Sequence, residues 1–465
     1  MKILKDIRFW ILLFFVLRLY GITNPPLDIA HNWRQVTGDM VSRNFYEVDN
    51  NIFYPRLDFA GERTGITGTE FSTLNYLTYL LSLLFGFHDW FARLINLLIS
   101  SIGIFYFYKV IKLKFDERLA FLAAYLLLIS DWLIYSRKAM PDTFSVALVI
   151  MSLYYSFRYF ENYKLKNLIA YFLLAMIGVL SKIPAAYLLA LLIIPLRDKD
   201  KPKQVKITFV LASILMLIPV CIWYYMWVPY LIVKYKFAHY YMGVSIQLGF
   251  RQLLASLALV FERFYYDALK FTGFAAYLTG LFIAFRRNDK VMLKIIAITG
   301  FAFFVFMMKS GSNFSAHSYY IIPFVPVMCL FAAYAIFHLK NKTILLVLLL
   351  ILTAENIANQ QHDFIIKKSE RYKLSLESIA DRYTKRNDLV VINCGINPQE
   401  LYLMHRKGWI VSTEQAHDLR FLDSLVKKKC KVLFLDKHLL KGNEPAYPNT
   451  PWFQDENFIV YLLSR

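Results

Sequence analysis

Apolar runs long enough to cross a bilayer recur along the chain from Phe9 to about Glu355. A hydrocarbon layer of roughly 30 Å needs about 20 residues of helix. Short polar or basic clusters separate the runs, and aromatic residues crowd their ends, as at residues 106–108 and 223–227. Such aromatic belts are typical of the bilayer interface. The pattern therefore predicts a polytopic α-helical membrane protein.

We predict about 11 spans, with the following residue numbers: 8–22, 90–112, 119–136, 142–160, 167–180, 184–196, 207–228, 271–286, 292–308, 318–337 and 343–357. Residues 181–184, which read Ser-Lys-Ile-Pro, divide two short runs. Proline ends a helix and lysine avoids the bilayer centre, so we expect a helical hairpin with its tip at one interface. The segment 74–86 is too short to span and is expected to lie at the membrane surface.

The basic loops give the predicted spans an orientation, because lysine and arginine accumulate on the cytoplasmic side. Residues 197–206 and 286–294 are two such loops, and they place the amino terminus inside. No small-residue cleavage site precedes Pro25 and Pro26, so the first run is expected to remain as an uncleaved anchor. Four stretches then fall outside: 23–89, 137–141, 229–270 and 309–317.

The pattern changes beyond about residue 358, where short apolar strands alternate with helices. Helices are predicted at 366–386, 397–407 and 414–428, and strands at 389–393, 409–411 and 431–435. This alternation predicts a small soluble α/β domain over 358–465. With an odd number of predicted spans and the amino terminus inside, this domain is predicted to lie on the outer face. The remainder, 1–357, is predicted to be a transmembrane domain whose first outer loop is 23–89.

Composition supports membrane embedding and removes other classes of protein. Of 465 residues, 58% are hydrophobic and 18% are charged, whereas soluble domains carry about 25% charged residues. The net charge of +20 is scattered over loops. This distribution favours contact with anionic lipid headgroups and excludes the continuous basic surface that binds nucleic acid. The four cysteines, Cys221, Cys329, Cys394 and Cys430, lack CxxC spacing and predict neither a metal knuckle nor a disulfide framework.

Several ionisable residues are predicted to share the outer face. Asp28 follows the first span directly, which puts a carboxylate at the membrane boundary. Asp142 comes just after Arg137 and Lys138, although an aspartate after a proline is also a common helix cap. Lys182 lies at the hairpin tip, where a lysine also serves as an interfacial anchor. Charges at membrane depth are costly and usually functional, and this set suits a phosphate-bearing lipid with a carboxylate base nearby.

The order of these motifs resembles the GT-C superfamily of membrane glycosyltransferases. More narrowly, it is similar to glycosyltransferase family 39, which includes the protein O-mannosyltransferases and the aminoarabinose transferases that modify lipid A. The similarity covers most of residues 1–340. The segments that carry it are 28–35, 43–45, 85–94, 137–142, 180–184, 222–224 and 317–323.

The resemblance implies an inverting transfer of a sugar from a polyprenyl phosphate to a hydroxyl of a lipid, glycan or protein. In bacteria it implies an inner-membrane enzyme with its active site on the periplasmic face. Asp28 would be the general base and Asp142 a second catalytic carboxylate near the donor. Six further residues would bind the donor or its phosphate: Arg34, Lys182, Arg137, Lys138, His31 and Glu70.

Two positions depart from the family's pattern. Asp28 is followed by Ile29, where the O-mannosyltransferases have a glutamate. Glu70 is followed by Phe71, where the aminoarabinose transferases have a lysine, so that lysine's phosphate role must pass to another residue or be absent. No cofactor is certain. Some relatives bind a divalent metal through the same glutamate and a later histidine, for which Glu70 and His239 are the candidates here.

A transporter or lipid flippase is the alternative from a different class, because it too places ionisable residues among many spans. Transporters tend to show inverted repeats and polar residues near the bilayer midplane. Here the polar residues gather at one interface and no repeat is visible, which favours an enzyme. An oligosaccharyltransferase-like or polymerase GT-C member is a nearer alternative, and the sequence leaves the sugar and the acceptor open.

Overall fold

The computed structural model describes residues 3–27, 30–239, 241–440 and 450–463. Its contacts divide the chain into two compact units. The helical unit comprises Met1–Ile22, Ala92–Tyr225 and Tyr241–Phe364. The mixed unit comprises Thr23–Phe91, Met226–Tyr240 and Ile365–Arg465. The predicted first outer loop therefore belongs to the same unit as the tail.

The helical unit consists of α-helices joined by short turns. The α-helices lying wholly or mostly in it are Ile7–Arg18, Trp90–Lys112, Glu117–Ile129, Trp132–Tyr135, Pro141–Asn162, Leu165–Ser181, Ile193–Arg197, Lys203–Cys221, Ile246–Ala255, Leu257–Tyr265, Lys270–Arg286, Lys290–Ser310, Ser312–Ala316, Val325–Phe337 and Lys342–Gln360. Short 3₁₀ segments occur at Ile3–Lys5, Ile183–Leu192, Ser318–Phe324 and Gln361–Phe364, and Ile222–Trp227 is π-helical.

Five helical stretches among the described residues are long and apolar enough to cross a membrane: Trp90–Lys112, Lys203–Tyr235, Lys290–Ser310, Ser318–Phe337 and Lys342–Tyr383. A sixth is added if Leu257–Tyr265 and Lys270–Arg286, which meet at 90°, form one broken span. The predicted count of about 11 is therefore not confirmed. Some predicted spans contain shorter helices: the first helix has only 12 residues and Glu117–Ile129 only 13.

The predicted hairpin around Lys182 consists of Leu165–Ser181 followed by the 3₁₀ segment Ile183–Leu192. The first of these helices packs closely on Pro141–Asn162 at Gly178, where an added Cβ would lie 3.0 Å from Val149 Cγ2. The Ser145 hydroxyl donates to the Gly178 carbonyl at 2.6 Å. This close approach fixes the end of one helix beside the start of the other.

The mixed unit combines short helices with a five-stranded sheet. Its strands are β1 (Leu389–Ile392), β2 (Lys407–Ile410), β3 (Cys430–Asp436), β4 (Phe453–Gln454) and β5 (Phe458–Leu462), in the order β2-β1-β3-β5-β4. Strands β2, β1 and β3 are parallel, whereas β5 is antiparallel to β3. Its α-helices are Asn32–Glu47, Thr73–Phe85, Val228–Tyr235, Leu376–Tyr383, Gln399–Leu403, Thr413–His417, Leu419–Lys427 and Lys437–Leu440, with a 3₁₀ segment at Lys368–Ser375.

Apolar side chains cover both faces of this sheet, as expected for parallel strands with helical crossovers. Val390 and Ile392 pack with Leu401 on one face. Val391, pointing the other way, packs with Leu425 on the opposite face. The three predicted strands and their alternation with helices are thus present. The prediction missed β4 and β5, and it missed the break at Asp418, whose carboxylate caps Leu419–Lys427.

A segment of the first loop runs along the edge strand β2. Gly61 N donates to the Gly408 carbonyl at 2.8 Å, and Gly408 N donates to the Asp58 carbonyl at 3.0 Å. Gly61 is required by the close approach of this segment to β2, and Gly408 by the close approach of β2 to β1. Gly61 has a φ of +65° and an added Cβ would lie 2.4 Å from Trp409 Nε1, while a Cβ on Gly408 would lie 1.7 Å from the Val390 carbonyl oxygen.

Candidate active site

The helical unit pairs two of the residues that the sequence singled out. Asp142 lies in the first turn of Pro141–Asn162, after a proline at the first helical position. Lys182 ends Leu165–Ser181, and its Nζ lies 2.6 Å from Asp142 Oδ1. The Lys182 ammonium also lies 4.8 Å from the centre of the Tyr319 ring. A carboxylate at a helix amino terminus is stabilised by the helix dipole. Asp142 is therefore fixed in place, and it in turn holds the Lys182 ammonium.

Asn96, which the sequence analysis did not single out, fixes the turn before Asp142. Its side chain is fully buried on Trp90–Lys112. Its amide nitrogen lies 2.9–3.1 Å from three carbonyl oxygens, those of Tyr135, Lys138 and Met140. Its amide oxygen accepts from the Thr143 hydroxyl at 3.0 Å. The sequence does contain a signal for Asn96, which is a polar residue within a long apolar run. An amide in the hydrocarbon region needs hydrogen-bond partners within the protein.

Arg137 contacts the carboxyl end of the first helix. Its Nε donates to the Arg18 carbonyl at 3.2 Å and its Nη2 to the Tyr20 carbonyl at 2.5 Å. Its Nη1 donates to the Asp363 carbonyl, and the guanidinium lies 4.1 Å from the Phe364 ring centre. The last carbonyls of a helix lack partners within it, and a cation satisfies them. These contacts give Arg137 a capping role, while its proposed contact with phosphate stays a prediction.

Lys138 is almost completely buried and forms an ion pair with Asp363. Its Nζ lies 2.9 Å from Asp363 Oδ1. Removing one member of a buried pair leaves an uncompensated charge, which costs about 3–5 kcal/mol. The described contacts of Lys138 therefore stabilise the helical unit, and its phosphate role also stays a prediction.

The mixed unit brings a second set of candidates together. Arg34, on Asn32–Glu47, forms an ion pair with Glu70. His31 precedes that helix with a left-handed backbone, φ 60°. Such a conformation is uncommon for a residue other than glycine and is concentrated at functional sites. His239 packs against Trp33, with ring centres 6.4 Å apart.

The electrostatics at His239 bear on the proposed metal site. Burial lowers the pKa of His239 to about 4, and the nearby positive charge of Arg34 acts in the same direction. The Glu70 carboxylate already pairs with that guanidinium. Among the residues that the structure describes, no group of three or more His, Cys, Asp or Glu side chains could hold a metal ion. A histidine nitrogen and a carboxylate are both ligands that Zn²⁺ accepts, so the metal site at Glu70 and His239 stays a prediction.

Asp28, the predicted general base, lies outside the described residues. Its chain neighbour Leu27 is buried at 1% exposure. Two further buried ion pairs in the helical unit were missed by the sequence analysis: Lys270 with Asp131 at 3.0 Å and Arg263 with Asp267 at 2.5 Å. Asp131 and Asp267 each lie in a break between helices. An acidic residue in such a break indicates a turn in the sequence, but it does not show which cation the carboxylate will pair with.

The chain matches a known protein family in part of its sequence and solved structures in its fold. The family described as dolichyl-phosphate-mannose-protein mannosyltransferase matches residues 73–224. ArnT from Cupriavidus metallidurans in the apo state aligns over 98% of both chains, at 13% identity and a TM-score of 0.61. The same enzyme bound to undecaprenyl phosphate aligns over 98% of both chains at 12% identity and a TM-score of 0.61.

A weaker likeness joins the chain to the archaeal oligosaccharyltransferase AglB from Archaeoglobus fulgidus, in complex with an inhibitory peptide and a dolichol-phosphate. That alignment has a TM-score of 0.48 and 14% identity, and covers 92% of this chain and 69% of the other. No curated protein sequence matches the chain significantly.

These matches confirm the predicted resemblance to the GT-C membrane glycosyltransferases. The fold is helical, with a small sheet at the carboxyl end, as the sequence predicted. In particular, it is the fold of ArnT, aligned over nearly the full length of both chains.

Proposed function

We propose that this protein is an inverting glycosyltransferase of the membrane, with a polyprenyl-phosphate sugar as donor and a hydroxyl of a lipid, glycan or protein as acceptor. The main support is the ArnT fold, since one ArnT structure with this fold is bound to undecaprenyl phosphate. The Lys182–Asp142 pair adds a partly accessible cation within a helical unit of that fold. The reaction would take place on the outer face of the bacterial inner membrane.

In the proposed reaction Asp28 accepts the proton of the acceptor hydroxyl. The freed oxygen attacks the anomeric carbon from the face opposite the phosphate and forms the new glycosidic bond. The bond between the anomeric carbon and the phosphate oxygen breaks, and the lipid phosphate leaves with both electrons. A single displacement of this kind inverts the anomeric configuration, and a positioned base typically contributes about 10²–10⁴-fold to the rate.

Lys182 and Arg34 are the proposed phosphate ligands. Each is held by a carboxylate, Asp142 or Glu70, and each remains partly accessible. A cation fixed in this way stabilises charge that develops on the leaving phosphate without having to reorganise. His31 is proposed as a further donor ligand, and Asp142 as a second catalytic carboxylate near the donor.

Transfer of radiolabelled sugar tests the proposal directly. Purified protein would be reconstituted with polyprenyl-phosphate sugars and with lipid, glycan or peptide acceptors. We expect wild type to transfer label and Asp28→Asn to lose activity by about 100-fold or more. Asp423→Asn, which changes an exposed carboxylate on Leu419–Lys427, is the matched control and should behave as wild type.

Two results would contradict the proposal. Full transfer by Asp28→Asn would remove the proposed base. Movement of the lipid-linked sugar across the vesicle membrane, with no product formed on any acceptor, would instead support the flippase alternative.

A further inference from the structure

Residues 246–261 of the helical unit present an apolar surface. They comprise the helix Ile246–Ala255, Ser256 and the first part of Leu257–Tyr265. Arg251 is the one charged residue among them, and the structure describes every one of them. An exposed apolar surface of this kind marks a contact with a membrane or with another protein. Apolar side chains that are 43–59% exposed occur in both helices, among them Leu248, Phe250 and Leu254 in the first and Leu257, Leu259 and Phe261 in the second.

The opposite face of these two helices packs against the rest of the helical unit. Leu253 and Val260 are buried there. A Cβ added to Gly249 would lie 1.6 Å from the Met308 carbonyl oxygen, so the first helix touches the backbone of Lys290–Ser310. The exposed side chains of 246–261 are therefore held outward, because the inner face is already occupied.

The direction of the second helix indicates what covers the exposed face. Leu257–Tyr265 meets Lys270–Arg286 at 90°. Lys270–Arg286 has 17 residues, and about 17–25 residues of helix cross a hydrocarbon layer. Crossing helices tilt by about 20° on average, so a helix perpendicular to one of them lies close to the membrane plane. This is the orientation of an amphipathic helix at the bilayer interface.

The apolar surface continues onto the helix that crosses. Tyr265 stacks on Phe271, with ring centres 5.5 Å apart. Phe271 is 56% exposed at the start of Lys270–Arg286, and Phe282 on the same helix is 64% exposed. Exposed phenylalanines on a crossing helix contact acyl chains, since lipid tails are as apolar as the side chains themselves. The same lipid therefore reaches the neighbouring face of 246–261.

We propose that residues 246–261 are embedded in the outer leaflet of the bilayer, where their exposed side chains contact lipid acyl chains. The hydropathy pattern placed these residues in the outer loop 229–270, surrounded by water. Arg251 is compatible with embedding, because an arginine can lay its stem along apolar surface and keep its charge at the headgroups.

The embedded helices are joined to the segment that carries Tyr319. The Ser256 hydroxyl donates to Ser315 Oγ at 3.0 Å, a few residues before Tyr319. The Tyr319 ring lies beside Lys182, a proposed phosphate ligand. Embedding thus keeps this part of the site near the headgroup layer, where the phosphate of a lipid-linked donor lies. This consequence rests on the proposed function, whereas the embedding itself does not.

Lipid quenching of a fluorophore tests the embedding. The full chain, with Cys221→Ser and either Leu254→Cys or Leu259→Cys, is labelled with a fluorescent maleimide and placed in nanodiscs at one copy per disc. We expect lipids with brominated acyl chains to quench both positions as strongly as Phe282→Cys, and aqueous iodide to quench neither. Asp423→Cys, at an exposed position of Leu419–Lys427, should show the reverse.

A double variant tests the consequence for the donor. Leu254→Asp with Leu259→Asp puts two charges on the face that contacts acyl chains, where burial of a charge is costly. We expect KM for the polyprenyl-phosphate sugar to rise severalfold while kcat stays the same, because delivery of the donor is impaired and the reacting groups are unchanged. Ser424→Asp, exposed on Leu419–Lys427, should leave both constants unchanged.

The outcomes separate embedding from catalysis. Quenching of the probes at 254 and 259 by iodide alone would show a water-exposed loop and overturn the proposal. Quenching by neither agent would mean that protein covers this face, which also contradicts lipid as the partner. A wild-type KM in the double variant would remove the link to the donor. If both probes are quenched by lipid and wild type transfers no sugar, the embedding stands and the proposed function has failed.

Discussion

Individual cations in this protein differ in how much of each side chain remains accessible. Lys182 and Arg34 retain 12% and 15% of their side-chain exposure, whereas Lys138 retains 2%. All three pair with a carboxylate. A ligand reaches a charge only where some surface is left, and the two accessible cations are therefore better placed than Lys138 to meet a phosphate. Their partners, Asp142 and Glu70, limit the entropy lost on binding.

Replacing Lys182 by Gln should reduce sugar transfer by about 100-fold, because one preorganised donor to the leaving phosphate is lost. The measurement is kcat/KM with a polyprenyl-phosphate sugar in reconstituted vesicles. Lys203→Gln, at an exposed position at the start of Lys203–Cys221, is the control. Equal activity of the two variants would remove Lys182 from the phosphate site.

The stability of the protein should depend on His239 in mildly acidic solution. The folded pKa is about 4, below the ordinary value of 6.5, so the folded state favours the neutral ring. As the pH falls from about 6.5 to about 4, the unfolded chain takes up a proton that the folded chain does not, and stability is lost. Above about pH 6.5 the ring is neutral in both states and contributes no pH dependence.

His239→Gln should remove that dependence. The measurement is the melting temperature across pH 4 to 8, with the exposed His438→Gln as control. We expect wild type to lose stability relative to His239→Gln only in the acidic part of the range. A difference that stays constant with pH would show that the ring is equally protonated in both states.

Secondary-structure elements were more predictable than their ends and partners. Three strands could be located between residues 389 and 435, because each buried strand is a short apolar run between turns. The 3₁₀ segment Ile183–Leu192 was predicted as a transmembrane helix, since hydropathy alone does not distinguish the two geometries. Contacts such as Gln399 to Pro26 could not be predicted, because they join residues far apart in the sequence.

Close packing between helices is sensitive to single methyl groups. In Lys270–Arg286, a Cβ added to Gly280 would lie 1.8 Å from the Phe331 carbonyl oxygen of Val325–Phe337. We expect Gly280→Ala to destabilise the protein by about 1–3 kcal/mol through overpacking. In Lys290–Ser310, a Cβ at Gly300 would meet nothing within 4 Å, so Gly300→Ala should be neutral or slightly stabilising.

Thermal unfolding in detergent compares the two glycine variants directly. A lower melting temperature is expected for Gly280→Ala alone. Equal melting temperatures would mean that the two helices separate without cost, contrary to the close approach at Phe331.

At the scale of the whole molecule, the orientation in the membrane decides whether the proposed chemistry takes place on the outer face of the inner membrane. The parity of the predicted spans puts the tail outside and the loop around residue 199 inside. The native cysteines leave a simple background for labelling, because Cys329, Cys394 and Cys430 are buried and Cys221 is exposed.

An exposed cysteine added to a Cys221→Ser background, in which the three remaining native cysteines are buried, should report this orientation. A membrane-impermeant maleimide should label Asp423→Cys in cells with a permeable outer envelope and an intact inner membrane. It should label Lys199→Cys only after the inner membrane is opened. The reverse pattern would move the tail and the proposed site to the cytoplasmic side.

The pairing of residues 58–61 with the edge strand β2 has a consequence for how the protein is made. The two segments lie almost at opposite ends of the chain, so the loop is synthesised long before its partner exists. Contacts of such long sequence separation close late in folding. A nascent chain that stops before Lys407 lacks the strand that holds this loop. The mixed unit can therefore assemble only after the chain has been completed, and unfinished chains do not form it.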